Sequence, residues 1–327
     1  MAYSSRYTVV ADSSLLKLIN LQYGIKGEKI RLYRTSQGRV FFIQCPDGRK
    51  VFKLYPPSRT DAAVQSTHII SYLAGCGYPV VQIIPAVSGD LYITADEPEG
   101  RCAGVLFEYA SGVCIGYLHR WRENNPPDVH PLTRQFGRQV GRMHRLMEQY
   151  KGPLVYRGAK HFFDDLYEIL RGDGYDGANT RDFMEYGNEL KAMLENLPRG
   201  FYHADMHPGN TKYRGGLFTW MDFDKACESY RVMDFGWLLE TDWVYFHDES
   251  IERSRRLFDE VYAGYGAERE LTGAEIAAVY HCVAAVHYEA IVLDRLLGDK
   301  PLNPKILDRE HDWLMRWRES CHKLTRG

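Results

Sequence analysis

The sequence predicts an α+β protein of two lobes, a β-rich N-terminal part and a larger, mainly helical C-terminal part. Up to about residue 110 the chain consists mostly of short runs rich in β-branched and aromatic residues, which favour strands. Beyond residue 112, apolar residues recur at helical spacing, with one short β-rich segment over 200–223. Strands and helices that follow each other in blocks are typical of α+β proteins. We therefore expect two lobes, 1–110 and 111–327, with a cleft between them that could bind a ligand.

The N-terminal part contains one clear hairpin. Residues 40–45 and 50–55 are strand-like, and Pro46-Asp47-Gly48-Arg49 between them has turn chemistry. Side chains alternate along a strand, so Val51, Lys53 and Tyr55 share one face. One helix and further strands are expected over 61–74 (helix), 80–84, 90–94 and 103–109 (strands).

The C-terminal part is predicted to be helical. Phe136, Val140, Met143 and Met147 follow each other in steps of four, three and four, which indicates an amphipathic helix over 132–150. Other helices are expected over 161–171, 181–196, 251–265, 272–297 and 303–325.

Composition excludes several classes of function. Lys and Arg total 41 against 43 Asp and Glu, a formal net charge of −2, which does not favour nucleic acid as a partner. No continuous apolar run approaches the ~18 residues that cross a bilayer, and the start does not have the order of a signal peptide, so we expect no membrane partner and a cytoplasmic location. The seven cysteines include no C-x-x-C pair, so free thiols are expected.

The segment 201–224, FYHADMHPGNTKYRGGLFTWMDFD, carries the candidate chemistry. Asp205 and Asn210 lie five apart, and Pro208-Gly209 between them prevents a continuous helix. Gly215-Gly216 then predicts a hairpin, whose second strand brings Asp222 back close to Asn210. Carboxylate and amide oxygens of this kind suit Mg²⁺ that is also bound to substrate phosphates.

These residues resemble the protein-kinase-like superfamily. His203-Ala204-Asp205 with Asn210 fits the catalytic-loop pattern H-x-D-x-x-x-x-N, and Met221-Asp222-Phe223-Asp224 stands where kinases carry D-F-G. The sequences of these two motifs are similar to those of the aminoglycoside phosphotransferase and choline kinase-like family. The resemblance implies a bilobal protein-kinase-like fold, with a five-stranded antiparallel sheet and one helix in the N-terminal lobe and a helical C-terminal lobe.

The resemblance also implies a role for each site residue. Asp205 would accept or orient the proton of the acceptor hydroxyl, and Asn210 and Asp222 would hold Mg²⁺ between the ATP phosphates. Lys53 would bind the α- and β-phosphates, and backbone groups near Glu108 and Ala110 would bind adenine. The supporting residues would be His203, which orients the loop, Asp234, which braces it, and Asp224, which either touches the metal or caps a turn.

Two features of the kinase pattern are missing from the sequence. Between Arg31 and Val40 only Gly38 represents the glycine-rich loop. No glutamate stands between Glu28 and Glu97, where helix C of a kinase would supply the partner of the lysine. Gln65 and Ser66 lie near the expected place, and Asp61 lies one turn earlier. The partner that orients Lys53 is therefore open.

The predicted function is ATP-dependent, Mg²⁺-assisted phosphorylation of a hydroxyl group on a small molecule. Two alternatives stay open: a bacterial stress-response Ser/Thr kinase with a protein substrate, and a pseudokinase that acts as a binding module. Acidic residues outnumber basic ones over 161–197, which would favour a cationic acceptor such as an amino sugar or amino alcohol. Exposed, solvated helix faces explain the same charges more simply.

Overall fold

The structure is a computed structural model in which the chain forms two compact units. It describes residues 12–35, 38–98, 100–114, 126–175, 178–240, 246–298 and 301–324. The first unit comprises residues 1–114, 150–153 and 210–225, and the second comprises 115–149, 154–209 and 226–327. The division into lobes at residue 110 stays a prediction. The two compact units differ from those lobes, because the hairpin after Asn210 belongs to the first unit.

An antiparallel sheet forms the centre of the first unit. Within the described residues it has six strands: β1 (Lys29–Thr35), β2 (Arg39–Cys45), β3 (Gly48–Tyr55), β4 (Ile83–Ile84), β5 (Ile93–Glu97) and β6 (Gly100–Glu108). Their order is β1-β2-β3-β6-β4, and β5 also pairs with β6. The predicted hairpin is confirmed as β2 and β3, with Cys45 opposite Gly48 at the turn.

Two helices accompany this sheet, where one was expected. Helix α2 (Thr60–Gly75) confirms the predicted helix, but α1 (Asp12–Tyr23) was not foreseen. The reason is the dense apolar run LLKLINL, which fits a strand or a helix equally well until its partners are known. In the structure Leu15, Ile19 and Tyr23 recur at one-turn spacing and are buried against the sheet. The expected five strands are also one too few.

The core of the first unit is made by side chains that point inward from alternate strand positions. Phe41, Ile43 and Cys45 on β2 and Phe52 and Leu54 on β3 are all buried. Residues between them, including Lys53, therefore belong to the opposite face of the sheet. Because side chains alternate along each strand, the residues on the Lys53 face are the ones that can contact a ligand.

The first unit also contains the hairpin of β8 (Thr211–Arg214) and β9 (Leu217–Trp220). Thr211 pairs with Trp220 and Arg214 with Leu217. The turn residues Gly215 and Gly216 have φ of 58° and 84°, the left-handed conformation that a two-residue hairpin turn requires. The predicted hairpin is thus confirmed.

The second unit is mainly helical. Its elements are α3 (Pro126–Met147), a π-helical turn (Lys160–Asp164), α4 (Asp165–Gly172), α5 (Ala178–Leu194), β7 (Arg199–Tyr202), β10 (Cys227–Tyr230), α6 (Met233–Leu239), α7 (Ser250–Tyr265), α8 (Gly273–Gly298) and α9 (Pro304–Leu324). Each predicted helix is present, and most helix ends lie within a few residues of the predicted positions. Phe136, Val140, Met143 and Met147 are buried, as the spacing predicted.

Helix α8 is long and strongly apolar. In the described part of the chain it is the one helix whose length and hydropathy would allow it to cross a membrane, over Gly273–Leu293, and 72% of that window is buried inside the protein. A core helix has this composition because every side of it contacts other elements. The cysteines are free, as expected.

Candidate active site

The β8–β9 hairpin places Asn210 beside Asp222. A short 3₁₀ turn, Pro208–Asn210, precedes β8, and Asp222 follows β9 after one residue. The Met221 N–H donates a hydrogen bond of 3.0 Å to the Asn210 carbonyl, which joins the two ends of the hairpin. Asp222 has φ 64°, a left-handed conformation that is uncommon for residues other than glycine. Such strain persists where surrounding structure fixes it, and often at functional sites.

Lys53 lies on β3 and reaches the carboxylates that follow β9. Its ammonium donates hydrogen bonds to Asp222 Oδ1 at 2.8 Å and to Asp224 Oδ2 at 2.5 Å. Burial disfavours the charged ammonium, but the two carboxylates raise the Lys53 pKa well above its usual value. Lys53 is therefore a cation held between two acids.

Asp224 is the more buried of the two acids. Its side chain is 3% exposed, against 38% for Asp222. Its second oxygen accepts a hydrogen bond of 2.9 Å from the Tyr55 hydroxyl. Burial raises the pKa of Asp224, against the lowering effect of Lys53. The end of strand β3 and the D-F-D segment thus share one polar network.

The donor set of the first unit fits a hard divalent cation. Asn210 and Asp222 offer amide and carboxylate oxygens, which Mg²⁺ accepts together with phosphate oxygens and water. Among the described residues, no group of three or more His, Cys, Asp or Glu side chains is arranged to hold a metal alone. A metal at Asp222 would therefore complete its coordination with ligands from a bound substrate.

In the second unit, the loop that carries Asp205 is braced by Asp234. The buried Asp234 carboxylate accepts hydrogen bonds from the backbone N–H groups of His203, at 2.9 Å, and Ala204, at 3.3 Å. Ala204 has φ 61°, so the loop turns through a left-handed residue at this point. Asp205 itself is half-buried, and His207 Nε2 lies 4.0 Å from its carboxylate. The bracing contact expected for Asp234 is present in the structure, and the roles of these residues stay predictions.

Helix α3 contributes to the same network. His144 Nε2 lies 3.0 Å from Asp234 Oδ2, and His144 Nδ1 lies 3.0 Å from the Tyr265 hydroxyl. Sequence reasoning missed both residues, because their partners are far away in the chain. A histidine on the apolar face of an amphipathic helix, one position after the buried Met143, was the available signal.

The predicted adenine-binding segment follows β6. The Glu108 N–H donates to the Gln82 carbonyl at 2.9 Å, and both oxygens of the Glu108 side chain accept from Lys50 at 2.9 Å. Ala110 is half-buried two residues further on. The Glu108 side chain is thus bound to Lys50, so the groups of Glu108 that could contact a base are those of its backbone.

An aromatic cluster that sequence reasoning missed lies on the Lys53 face of the sheet. Phe42 is opposite Val51 in the β2–β3 register, and directly opposite residues share a face. The Phe42 ring lies 4.5 Å from that of Tyr33 and 6.0 Å from that of Tyr109. Flat aromatic surfaces of this kind, beside the strand position two residues from Lys53, suit a purine base.

The acidic residues over 161–197 largely have basic partners within the second unit. The pairs include Asp164 with Lys191, Asp165 with His161, Asp173 with Arg295, Asp182 with His311 and Glu189 with Arg318. Asp176 lies outside the described residues. These pairs favour charged helix faces over a dedicated cation pocket.

The chain is similar to a family of phosphotransferases and to several proteins named as kinases. Residues 34–274 match the model of a family described as the phosphotransferase enzyme family. The amicoumacin kinase of Bacillus subtilis is 25% identical over 264 residues, 77% of this chain and 76% of that protein. The homoserine kinase of Hyphomonas neptunium is 23% identical over 292 residues, 84% of this chain and 83% of that protein.

Solved structures agree on the fold. The amicoumacin kinase hAmiN, in complex with AMP-PNP, Ca²⁺ and Ami, gives a TM-score of 0.73 at 19% identity and covers 97% of this chain and 94% of its own. A microcompartment-associated aminopropanol kinase gives 0.72 at 16% identity and covers 96% and 98%. The predicted protein-kinase-like fold is therefore confirmed.

Proposed function

The chain belongs to the phosphotransferase enzyme family, and from this premise we propose that it transfers the γ-phosphate of ATP to a hydroxyl group of a small molecule with the help of Mg²⁺. Its named relatives phosphorylate small molecules, so the reaction class is a kinase reaction with an alcohol acceptor. One observation carries the assignment of the site, the hydrogen bond of 2.8 Å that the Lys53 ammonium donates to Asp222. A cation for phosphates and oxygen ligands for a metal are thus adjacent in the first unit.

Each residue has a role that follows from phosphoryl transfer. The transition state is loose, so the site mainly positions groups and neutralises charge. Lys53 binds the α- and β-phosphates, and backbone groups at Glu108 and Ala110 bind adenine. Asn210 and Asp222 hold Mg²⁺, which neutralises the phosphate oxygens when bound. Asp205 accepts or orients the hydroxyl proton.

The remaining residues support this geometry. Asp234 holds the catalytic loop through the backbone of His203 and Ala204, and His203 is fully buried. The hydroxyl of the acceptor would approach Asp205, which is half-buried. Since ATP is the donor, we place the reaction in the cytoplasm.

We propose an amino sugar or amino alcohol as the acceptor. Kinases of homoserine and aminopropanol stand among the relatives and structural neighbours. Because the acidic side chains over 161–197 are largely paired, the choice of acceptor rests on these relatives and not on charge. A protein substrate has no such support, and the intact set of Asp205, Asn210 and Asp222 argues against a pseudokinase.

The test is release of ADP from ATP and Mg²⁺ with a panel of amino alcohols and amino sugars, alongside a generic protein substrate. We expect turnover with a small acceptor, a drop of about 10²–10⁴ in kcat for Asp205→Asn, the usual size of a general-base effect, and loss of activity for Asp222→Ala. Turnover by Asp205→Asn equal to that of the natural protein would refute its assigned role. Phosphorylation of the protein substrate alone would replace the small-molecule acceptor.

A further inference from the structure

The partner of Lys53 differs from the one that kinases place on helix C. The only acid on α2 (Thr60–Gly75) is Asp61, which is exposed in the first turn. The buried polar residues of α2 are Gln65, Ser66 and Thr67, which carry no charge. The negative charge beside Lys53 comes instead from Asp222 and Asp224. Helix α2 therefore supplies no ion-pair partner for the lysine among its described residues.

The two carboxylates are not equivalent. Asp222 is 38% exposed, so a metal can reach it, and a metal bound there would draw its charge away from Lys53. Asp224 is 3% exposed, with one oxygen bonded to Lys53 at 2.5 Å and the other to the Tyr55 hydroxyl at 2.9 Å. A charged hydrogen bond of this kind fixes geometry as well as energy.

Tyr55 belongs to the same strand as Lys53. Residues two apart on a strand share a face, so β3 presents the ammonium and the phenol side by side toward Asp224. The Lys53 Nζ also lies 5.1 Å from the centre of the Tyr55 ring. Tyr55 is 1% exposed, so this arrangement is anchored in packed structure.

We infer that Asp224, held by Tyr55, is the positioning residue that orients Lys53 toward the nucleotide phosphates in place of a helix-C glutamate. The inference rests on the proposed function, since it assumes that Lys53 binds phosphates. It gives the second aspartate of M-D-F-D a task other than metal binding or turn capping. It also makes the orientation of Lys53 independent of α2.

The pairing itself is tested without any nucleotide. In protein labelled with ¹⁵N on lysine side chains, a buried ammonium held by hydrogen bonds exchanges its protons slowly and gives a ¹H–¹⁵N signal, which Lys53→Met identifies. We expect the signal to survive in Asp222→Asn and to disappear in Asp224→Asn. Its persistence in Asp224→Asn, or its loss in Asp222→Asn alone, would overturn the inference.

The role is tested by calorimetric titration of ADP and of adenosine in EDTA. Without Asp224, Lys53 turns to Asp222 alone, so ADP should bind about 10- to 100-fold more weakly to Asp224→Asn, with adenosine unaffected. Tyr55→Phe should weaken ADP binding by a smaller factor, about 3- to 10-fold. In the Lys53→Met background both effects should vanish, because both act through Lys53. Asp61→Asn, an exposed acid on α2, is the matched control and should bind ADP as the natural protein does.

Other outcomes contradict the inference in distinct ways. A defect of Asp224→Asn that appears only with Mg²⁺ and persists in Lys53→Met would make Asp224 a metal ligand. Equal weakening of adenosine binding would indicate a general structural role, and tighter ADP binding would mean that Asp224 only repels phosphates. If the natural protein binds neither ADP nor ATP with Mg²⁺, the proposed function fails, while the ¹⁵N experiment still decides the pairing.

Discussion

Asp234 links three parts of the second unit through one carboxylate. It accepts from two backbone N–H groups of the loop before Asp205 and lies 3.0 Å from His144 on α3. An acceptor with no donor of its own is required here, because both backbone groups point hydrogens at it. The geometry of the loop that carries Asp205 thus depends on a charge 29 residues after Asp205 in the sequence.

Asp234→Asn tests this dependence. In either orientation the amide directs its N–H groups at a backbone donor, the N–H of Ala204 or that of His203, so at least one charged hydrogen bond is lost. We expect kcat to fall about 10- to 100-fold with little change in KM for ATP, as measured by ADP release. Asp248→Asn removes an exposed acid, 98% accessible, and serves as the control. A variant with normal kcat and lowered thermal stability would reduce Asp234 to a purely structural group.

The residues that sequence could predict are those with a local reason for their position. Alternation along β3 places Lys53 on the same face as Val51 and Tyr55, and the tight Gly215-Gly216 turn brings Asp222 back beside Asn210. The contacts of Tyr55 and His144 could not be predicted, because their partners Asp224 and Asp234 are 169 and 90 residues away in the chain. Only tertiary packing brings such pairs together.

At the scale of elements, α3 and α7 cross with their backbones in close contact. Gly137 and Gly141 of α3 lie against the carbonyl oxygens of Val261 and Tyr265, and a Cβ on Gly141 would come within 2.7 Å of the latter. A Cβ on Gly264 of α7 would overlap the carbonyl of Arg134. Glycine is needed on both helices because backbone atoms cannot move aside as a flexible side chain can.

Gly264→Ala should therefore destabilise the protein. Overpacking of this kind typically lowers the free energy of unfolding by about 1–3 kcal/mol, which is more than alanine adds through its higher helix propensity. Urea unfolding monitored by circular dichroism gives the free energy directly. Gly75→Ala is the control, since a Cβ at the end of α2 meets nothing within 4 Å and should leave stability equal or higher. Unchanged stability of Gly264→Ala would show that the two helices can separate freely.

A buried histidine joins α8 to α9. His287 Nδ1 lies 2.8 Å from Glu310, its Nε2 lies 3.7 Å from Glu240, and its ring stacks on Trp313 at 3.8 Å. Burial lowers the His287 pKa, but the two carboxylates raise it by more than burial lowers it, so the net shift is upward. The Glu310 pKa is lowered despite burial, because His287 and Arg309 favour its charged form. The two shifts describe one ion pair.

His287 should make stability depend on pH. Its folded pKa lies above the unfolded value of about 6.5, so its contribution is complete below that pH and is lost as pH rises through the folded pKa. The difference in unfolding free energy between the natural protein and His287→Gln should therefore be larger near about pH 6 than near about pH 8.5. Glu310→Gln should reduce this pH dependence as well. A difference that stays constant with pH would mean that His287 is neutral when folded.

On the scale of the whole molecule, binding of a nucleotide at the site should raise the thermal stability of the protein. A ligand that binds only the folded protein stabilises it by about 2.7 kcal/mol at a hundredfold excess over Kd. We expect the midpoint of thermal unfolding to rise with ATP and Mg²⁺, to rise less with ATP and EDTA, and to lose the metal-dependent part in Asp222→Ala. The reason is that Asp222 is the more exposed of the two carboxylates beside Lys53, where metal and phosphates would meet. A metal-dependent rise retained in Asp222→Ala would move the metal site elsewhere, and no rise with any nucleotide at millimolar concentration would favour a binding module over a kinase.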